Sequence, residues 1–313
     1  MIEIRQYISE LKNDWDEFIS LSKNGTFILQ RDFMEYHSHR FQDYSLLFYI
    51  DDKLIALLPA NKVEDTLYSH SGLTYGGLIL TEKSGAALVL QLMENLIAFL
   101  KKNQFRKLIY KPIPLIYHKQ AAEEDLYALF RLGARLTSRS ISSTIFLRDR
   151  IKYTRDRRRA ISKANKYNLK VQEASDFSLF WELLNENLED RHQVKPVHSL
   201  DEITYLKSKF PDHIRLFYSY NDEHNILGGV LVFDMGHIIH VQYISPNKEG
   251  RALGGVDIVF DYLYSTIYPD RQYFDFGIST ENGGMYLNEG LIAQKEGFGG
   301  RGTVYDAYEI DIK

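Results

Sequence analysis

The 313-residue chain has no cysteine, which excludes disulfides, thiolate nucleophiles and cysteine-bound metals at once. It also lacks a long apolar run. The most apolar stretch, residues 86–100, is interrupted by Glu94 and Asn95 and is too short and too polar to cross a bilayer. The N-terminal residues MIEIRQYISELKNDW carry neither an apolar signal core nor a cleavage pattern. These absences predict a cytoplasmic protein without a membrane span. Metal-ligand spacing is missing as well: His237 and His240 fall on opposite faces of one strand, and His37 and His39 on different sides of one helix. Neither a Ser-His-Asp elbow nor a Walker loop occurs.

What is present is an ordinary globular composition, 44% hydrophobic and 26% charged. Aromatic content is carried by 22 Tyr and 18 Phe against 2 Trp. The net charge of −4 is unfavourable to general nucleic-acid binding, but it is unevenly spread. Residues 148–170 hold ten Lys or Arg against Asp149 and Asp156, a net +8, so the rest of the chain carries −12. Such asymmetry points to an anionic partner.

The order of apolar runs repeats. A hairpin pattern with a charged turn occurs at 46–60 and again at 214–233. Each is followed by a strand-like run, at 74–80 and 237–244, then a helical run, then a strand at 105–110 and 272–278. Two long copies are not a solenoid, whose short units recur at least three times. They predict two tandem α/β (α+β) domains, residues 1–147 and 148–313, each a mixed, largely antiparallel sheet flanked by helices. Interfaces between domains are favoured ligand sites.

Two segments have the chemistry to meet phosphate. The loop 247–255, NKEGRALGG, brings Lys248, Arg251, Gly254 and Gly255 to the start of a predicted helix, where backbone N–H groups and the helix dipole favour anions. The bland alternative is a helix-initiating loop with convenient glycines. The second segment is a basic amphipathic helix over about 154–167, in which Arg155, Arg159 and Lys163 fall at i, i+4 and i+8, with Arg158 beside them. Its alternatives are a solvated face and a contact with a phosphate-bearing substrate or tRNA.

These motifs carry a resemblance. Arg251-Ala252-Leu253-Gly254-Gly255-Val256 is similar to the Gln/Arg-x-x-Gly-x-Gly/Ala pattern with which GNAT acyltransferases hold the pyrophosphate of coenzyme A, except that Val256 replaces the small last residue. The run FDFGIST (274–280), followed by LNEGLIAQKEGFGGRGTVYDAYEI (287–310), resembles the end of Fem-type peptidoglycan aminoacyltransferases and their FemAB-like relatives. Arg157 to Ala164 resembles their arginine-rich helix. In the first half only the layout and SGLTYGG (71–77), which contains Tyr75, are similar, and LTEKSGAAL (80–88) lacks the phosphate pattern, so that half is expected to be cofactor-free.

The resemblance implies two fused GNAT folds and transfer of an acyl or aminoacyl group to an amine. The donor would be acyl-CoA or aminoacyl-tRNA, with no metal. The acceptor would be a small or nucleotide-linked cell-envelope or glycan precursor. Lys295 matches the family's C-terminal lysine and would neutralise a phosphate or the reaction's oxyanion. Asp275 and Glu281 are candidate proton acceptors, and Tyr243 and Gln242 would line the acyl slot. Tyr75, Arg155, Arg158 and Arg159 are candidate substrate contacts. The alternatives are a plain acetyl-CoA-dependent N-acetyltransferase for a small amine and a non-catalytic binding module.

Overall fold

The computed structural model describes residues 1–192 and 195–313. The sequence predicts a loop over 191–199, of which residues 193 and 194 lie outside the described residues. The strands are β1 (Ile2–Gln6), β2 (Gln42–Asp43), β3 (Leu46–Ile50), β4 (Lys53–Leu58), β5 (Asn61–Val63), β6 (Thr66–Tyr68), β7 (Ile79–Leu80), β8 (Lys107–Tyr110), β9 (Arg135–Phe146), β10 (Lys170–Ala174), β11 (Ile214–Tyr220), β12 (Ile226–Asp234), β13 (Ile238–Pro246), β14 (Tyr273–Ile278), β15 (Thr280–Glu281), β16 (Tyr286–Leu287) and β17 (Arg301–Asp311). The helices are α1 (Lys12–Leu21), α2 (Arg31–Glu35), α3 (Ala86–Lys102), α4 (Glu124–Arg131), α5 (Arg155–Lys166), α6 (Ser178–His192), α7 (Leu200–Lys209), α8 (Lys248–Leu253), α9 (Gly255–Tyr262) and α10 (Glu289–Gly297).

The chain forms two compact units that are not contiguous in sequence. Unit 1 comprises residues 1–141, 280–286 and 304–313, and unit 2 comprises 142–279 and 287–303. In place of the single boundary at 147/148 read from the sequence, the chain crosses between the units at 141/142, 279/280, 286/287 and 303/304, and most of the C-terminal strand belongs to the first unit. The cause is strand pairing. β17 runs antiparallel to β8, from Tyr308 opposite Tyr110 to Asp311 opposite Lys107, and Ile310 and Ile312 enter the first unit's core. A terminal strand seeks an unpaired edge in space, and its neighbours in sequence do not limit the choice.

In unit 1, β1-β3-β4-β7 form one sheet. The hairpin predicted at 46–60 is β3 and β4, turning at Asp51 and Asp52 with both backbones left-handed. Helix α3 covers this sheet. The spacing of Leu88, Leu92, Leu96 and Phe99 in the sequence predicts its apolar stripe, and the buried face in the structure is Val89, Leu92, Met93, Leu96 and Leu100. Ser84, which by residue type predicts an N-cap, is buried instead, and Gly85 stands at the N-cap.

In unit 2 the order is β10-β11-β12-β13-β14-β9. The first four pair antiparallel, and only β13 and β14 are parallel. α9 closes one face, all but its last two residues buried, against a core of Ile145, Phe217, Val230, Val232, Ile239, Phe274 and Phe276. Phe260 is the hub of that core. Its ring centroid lies 4.9 Å from that of Phe298, 5.1 Å from Phe276 and 6.0 Å from Phe274. Edge and tilted contacts of this kind add to the area term.

Because Ile310 is only 6% exposed in the first unit's core, Ile310→Ala is expected to cost about 2–4 kcal/mol, read as a fall in the urea midpoint. Exposed Val304 of the same strand should tolerate the same change with little loss.

Candidate active site

The site of unit 2 begins where a ladder ends. β13 and β14 pair at only three positions, the last being His240 opposite Asp275. Beyond it two irregularities part the strands. On β13 the register with β12 slips, Leu231 facing Tyr243 and Val232 facing Val241, so that Gln242 is bulged out. On β14 the register with β9 shifts between Asp275 and Ile278, and Gly277 takes a left-handed φ of +74° that other residues avoid. Bulges turn a strand and redirect its side chains.

A cavity of about 300 Å³ lies beside this parting. Its apolar lining includes Leu184, Leu188, Ile244, Phe260, Phe276 and Phe298, and its polar lining includes Asn187, Ser245, Arg251, Gln294 and Lys295. A mainly apolar cavity with a few convergent polar groups is the usual form of a small-ligand site.

Lys295, on α10, is 4% exposed. Its Nζ donates to the Gly277 and Ile278 carbonyls, each at 2.8 Å. The two carbonyls satisfy two of its three N–H donors, and the third has no protein acceptor among the described residues. Burial lowers the ammonium to about 8, with the Asp275 charge acting the other way. Asp275 itself is wholly buried. Ser142 Oγ and Thr144 Oγ1 donate to its Oδ1 at 2.5 and 2.9 Å. His240 Nδ1 lies 2.9 Å from its Oδ2, and the Gly277 N–H donates to the same oxygen at 3.2 Å. A carboxylate so enclosed orients its neighbours and does not meet a substrate directly.

Tyr243 packs edge-on against Trp181, and its phenol oxygen lies 2.7 Å from His198 Nδ1 and accepts from the His198 N–H at 3.1 Å. Burial raises its pKa above the ordinary value. Asn187 ties the cavity's rim together. Its Nδ2 donates to Ser245 Oγ at 2.6 Å and to the Pro246 carbonyl at 2.9 Å, while its Oδ1 accepts from Arg251 at 3.0 Å.

The glycine loop takes a form the sequence does not reveal. Two helices meet there: Gly254 is at once the C-cap of α8 and the N-cap of α9, with φ of +80°. Gly254 and Gly255 are buried, and a Cβ on Gly254 would lie 2.5 Å from the Ala160 carbonyl oxygen of α5. The glycines therefore have a packing role whether or not a phosphate binds nearby. Val256 is explained in the same way, since its side chain lies in the core against Gly228. Lys248 and Arg251 are exposed on α8.

On α5, Arg155, Arg158, Arg159 and Lys163 are exposed, and of these four only Arg159 has an ion-pair partner among the described residues, Asp156 at 3.9 Å. Arg157 turns inward instead, pairing with Asp257 at 2.7 Å over the Phe298 ring. Glu281 and Tyr75 belong to unit 1. Glu281 is exposed; Tyr75 is 1% exposed and bonded to Thr26 at 2.9 Å. The structure thus gathers Lys295 and Arg251 at one cavity, with Gln242, Tyr243 and Asp275 on the strands beside it. Sequence reasoning missed Asn187, His198 and His240. A lone polar residue on a helix or strand carries no signal of the partner it meets in space. Among the described residues no group of three or more His, Asp or Glu is placed to hold a metal ion, and no helix is long and apolar enough to cross a membrane.

No family model and no curated protein matches this sequence. Solved structures do. FemX is similar over 99% of this chain and 97% of its own, with a TM-score of 0.69 at 12% identity. L-PGS from Bacillus licheniformis is similar over 98% and 92%, with 0.64 at 14% identity. A tandem GNAT protein from the clavulanic acid biosynthesis pathway is similar over 100% and 99%, with 0.53 at 11% identity. At these identities the likeness establishes the fold: the chain has the FemAB-like tandem GNAT fold.

Gly254→Ala is expected to destabilise unit 2 by more than about 1 kcal/mol, since alanine is strained at that φ and meets backbone. Thermal unfolding without any ligand measures this. An unchanged midpoint would leave the glycine to a ligand.

Proposed function

We propose that unit 2 is an acyltransfer centre of the GNAT type. The observation that carries this reading is the parting of β13 and β14 beside an apolar cavity that holds a buried lysine. Strands that stop pairing leave backbone N–H and C=O groups free for a ligand. An extended acyl donor would lie between them as a partial extra strand, as peptides do in strand addition.

An activated acyl donor needs little from the protein. The amine nitrogen attacks the acyl carbon, the C–N bond forms through a tetrahedral oxyanion, the bond to the leaving group breaks, and a proton passes from nitrogen to that group. The remaining N–H of Lys295 is the cationic donor for the oxyanion, already oriented by its two carbonyl partners. Asp275, enclosed by four donors, reaches the reaction through His240 and through its charge on Lys295. In this reading Asp275 holds the imidazole and His240 takes the proton. Gln242 and Tyr243 shape the slot at the bulge.

For the donor we favour an acyl thioester, with Arg251 and Lys248 on α8 as phosphate anchors; an aminoacyl-tRNA is the other donor to assay. The acceptor we propose is an amine on a cell-envelope or glycan precursor, whose phosphates the exposed row of Arg155, Arg158 and Arg159 would meet. A second reading, binding without turnover, is favoured by the buried state of Gly254 and Gly255, which leaves no glycine cradle open to a pyrophosphate.

Turnover across acyl-CoA and aminoacyl-tRNA donors with amine acceptors separates the two readings. Donor binding with no product in any combination supports the second. Arg251→Ala should weaken donor binding by about 1.5–3 kcal/mol, the range of a charged hydrogen bond. Replacing Arg155, Arg158 and Arg159 with Gln should weaken acceptor binding and flatten its salt dependence.

Lys295→Met should lower kcat by about 10²–10³, the usual effect of removing one oxyanion donor. The pH profile follows from the lowered pKa of Lys295. The side chain is charged below about 8 and neutral above it, so activity is expected to fall as pH rises through that value. Stability moves the other way. Between about 8 and the unfolded value of 10.5 the unfolded chain binds more protons, so raising pH across that window relieves the cost of the buried charge. A rate that stays level through pH 8 would remove the charged lysine from the mechanism.

A further inference from the structure

Unit 1 contains a cavity that the reading of unit 2 does not use. It measures about 310 Å³ and is lined by Tyr7, Arg31, Glu35, Phe41, Asp43 and His70, with Ser38 among the remaining residues. That volume lies at the lower end of the range for small-molecule sites.

The arginine at its base is not an anion receptor. Arg31 is 2% exposed and lies 3.6 Å from the centroid of the Tyr7 ring. Its Nε donates to Glu35 at 2.9 Å, one terminal nitrogen to Ser45 at 3.2 Å and the other to Asp43. Every nitrogen of the fork is engaged. Two carboxylates against one guanidinium leave the cavity one net negative charge, because His70 stays neutral: burial lowers its imidazole to about 3. Lys111, whose charge also reaches His70, is turned to the Leu73 carbonyl at 2.7 Å.

Acceptors are left over. Both contacts to Glu35 fall on Oε1, from Arg31 and from the Tyr7 hydroxyl at 3.3 Å. Oε2 has no protein donor among the described residues, and the Glu35 side chain is 42% exposed. His70 is 3% exposed, and its buried Nδ1 has no hydrogen-bond partner. A buried polar atom without a partner is uncommon and costly. Aromatic faces complete the wall, with the Phe41 and His70 rings 5.5 Å apart. An open carboxylate oxygen beside aromatic rings is the chemistry that recognises an ammonium group.

We propose that unit 1 carries its own small-ligand site, which takes a hydroxylated primary amine, its ammonium on Glu35 and its ring or chain against Tyr7, Phe41 and His70. The site lies wholly within unit 1, so it stands or falls independently of acyl transfer in unit 2.

The test is calorimetric titration of the intact protein with glucosamine and with glucose, at mildly acidic pH where the amine is charged. Glucosamine should bind saturably and roughly tenfold more tightly than glucose. Glu35→Gln should weaken glucosamine about fivefold or more. Ser38→Trp introduces an indole at an exposed lining position; it should abolish binding with thermal stability unchanged. Ser38 is outside the core, so this variant remains informative if Glu35→Gln fails to fold. No saturable binding of glucosamine, equal affinity for glucose, or wild-type binding by Ser38→Trp would each overturn the proposal. The last result would place any bound amine elsewhere in the protein.

Discussion

The functional geometry of unit 2 depends on where β13 and β14 stop pairing. Three parallel pairs join them, and the last couples two buried polar side chains, His240 and Asp275. If the ladder continued, the backbone groups beyond it would satisfy each other and no slot would exist. A bulge at Gln242 and the left-handed Gly277 end it. Backbone carbonyls freed in this way need donors, and Lys295 supplies them to Gly277 and Ile278. The same contact that stabilises the parted strand therefore delivers a cation to the cavity.

The aromatic core makes this arrangement rigid. Phe274 and Phe276 come from β14, Phe260 from α9, and Phe298 follows α10. Their contacts tie the strand with the open edge to the helix that presents Lys295. The inward Arg157 caps the group, pairing with Asp257 and lying over Phe298. One arginine of the basic helix is thus spent on packing, and its neighbours Arg155, Arg158 and Arg159 remain on the surface. A uniform reading of the arginine run would have missed this division.

Much of the fold was legible in the sequence because local signals carried it. The hairpin at 46–60 has its turn residues, α3 its apolar face, and α5 its basic outer face with Ile161 and Ala164 inward. A cap at Ser84 is not realised, since Gly85 is the N-cap of a helix that starts at Ala86 and Ser84 is buried. β1 is not legible in the sequence, because a five-residue strand that pairs with β3 has little periodicity of its own. The resemblance of 274–310 to Fem-type chains singled out Lys295. It gave no sign that Asp275 would be enclosed by Ser142, Thr144 and His240.

The sequence by itself determined the two α/β halves, the absence of thiol chemistry and the concentration of positive charge at 148–170. Composition and short-range periodicity are sufficient for these, since each depends on residues within a few turns or one strand of each other. Tertiary structure alone decided the rest. It sent the last strand to the first unit, buried Gly254 against Ala160, and brought Asn187 to Arg251 across 64 positions of chain. It also assembled Tyr7, Arg31, Glu35 and His70 around one cavity. The physical reason is common to all four. Each rests on satisfying an edge, a void or a polar atom, and the group that does so is chosen by proximity in space.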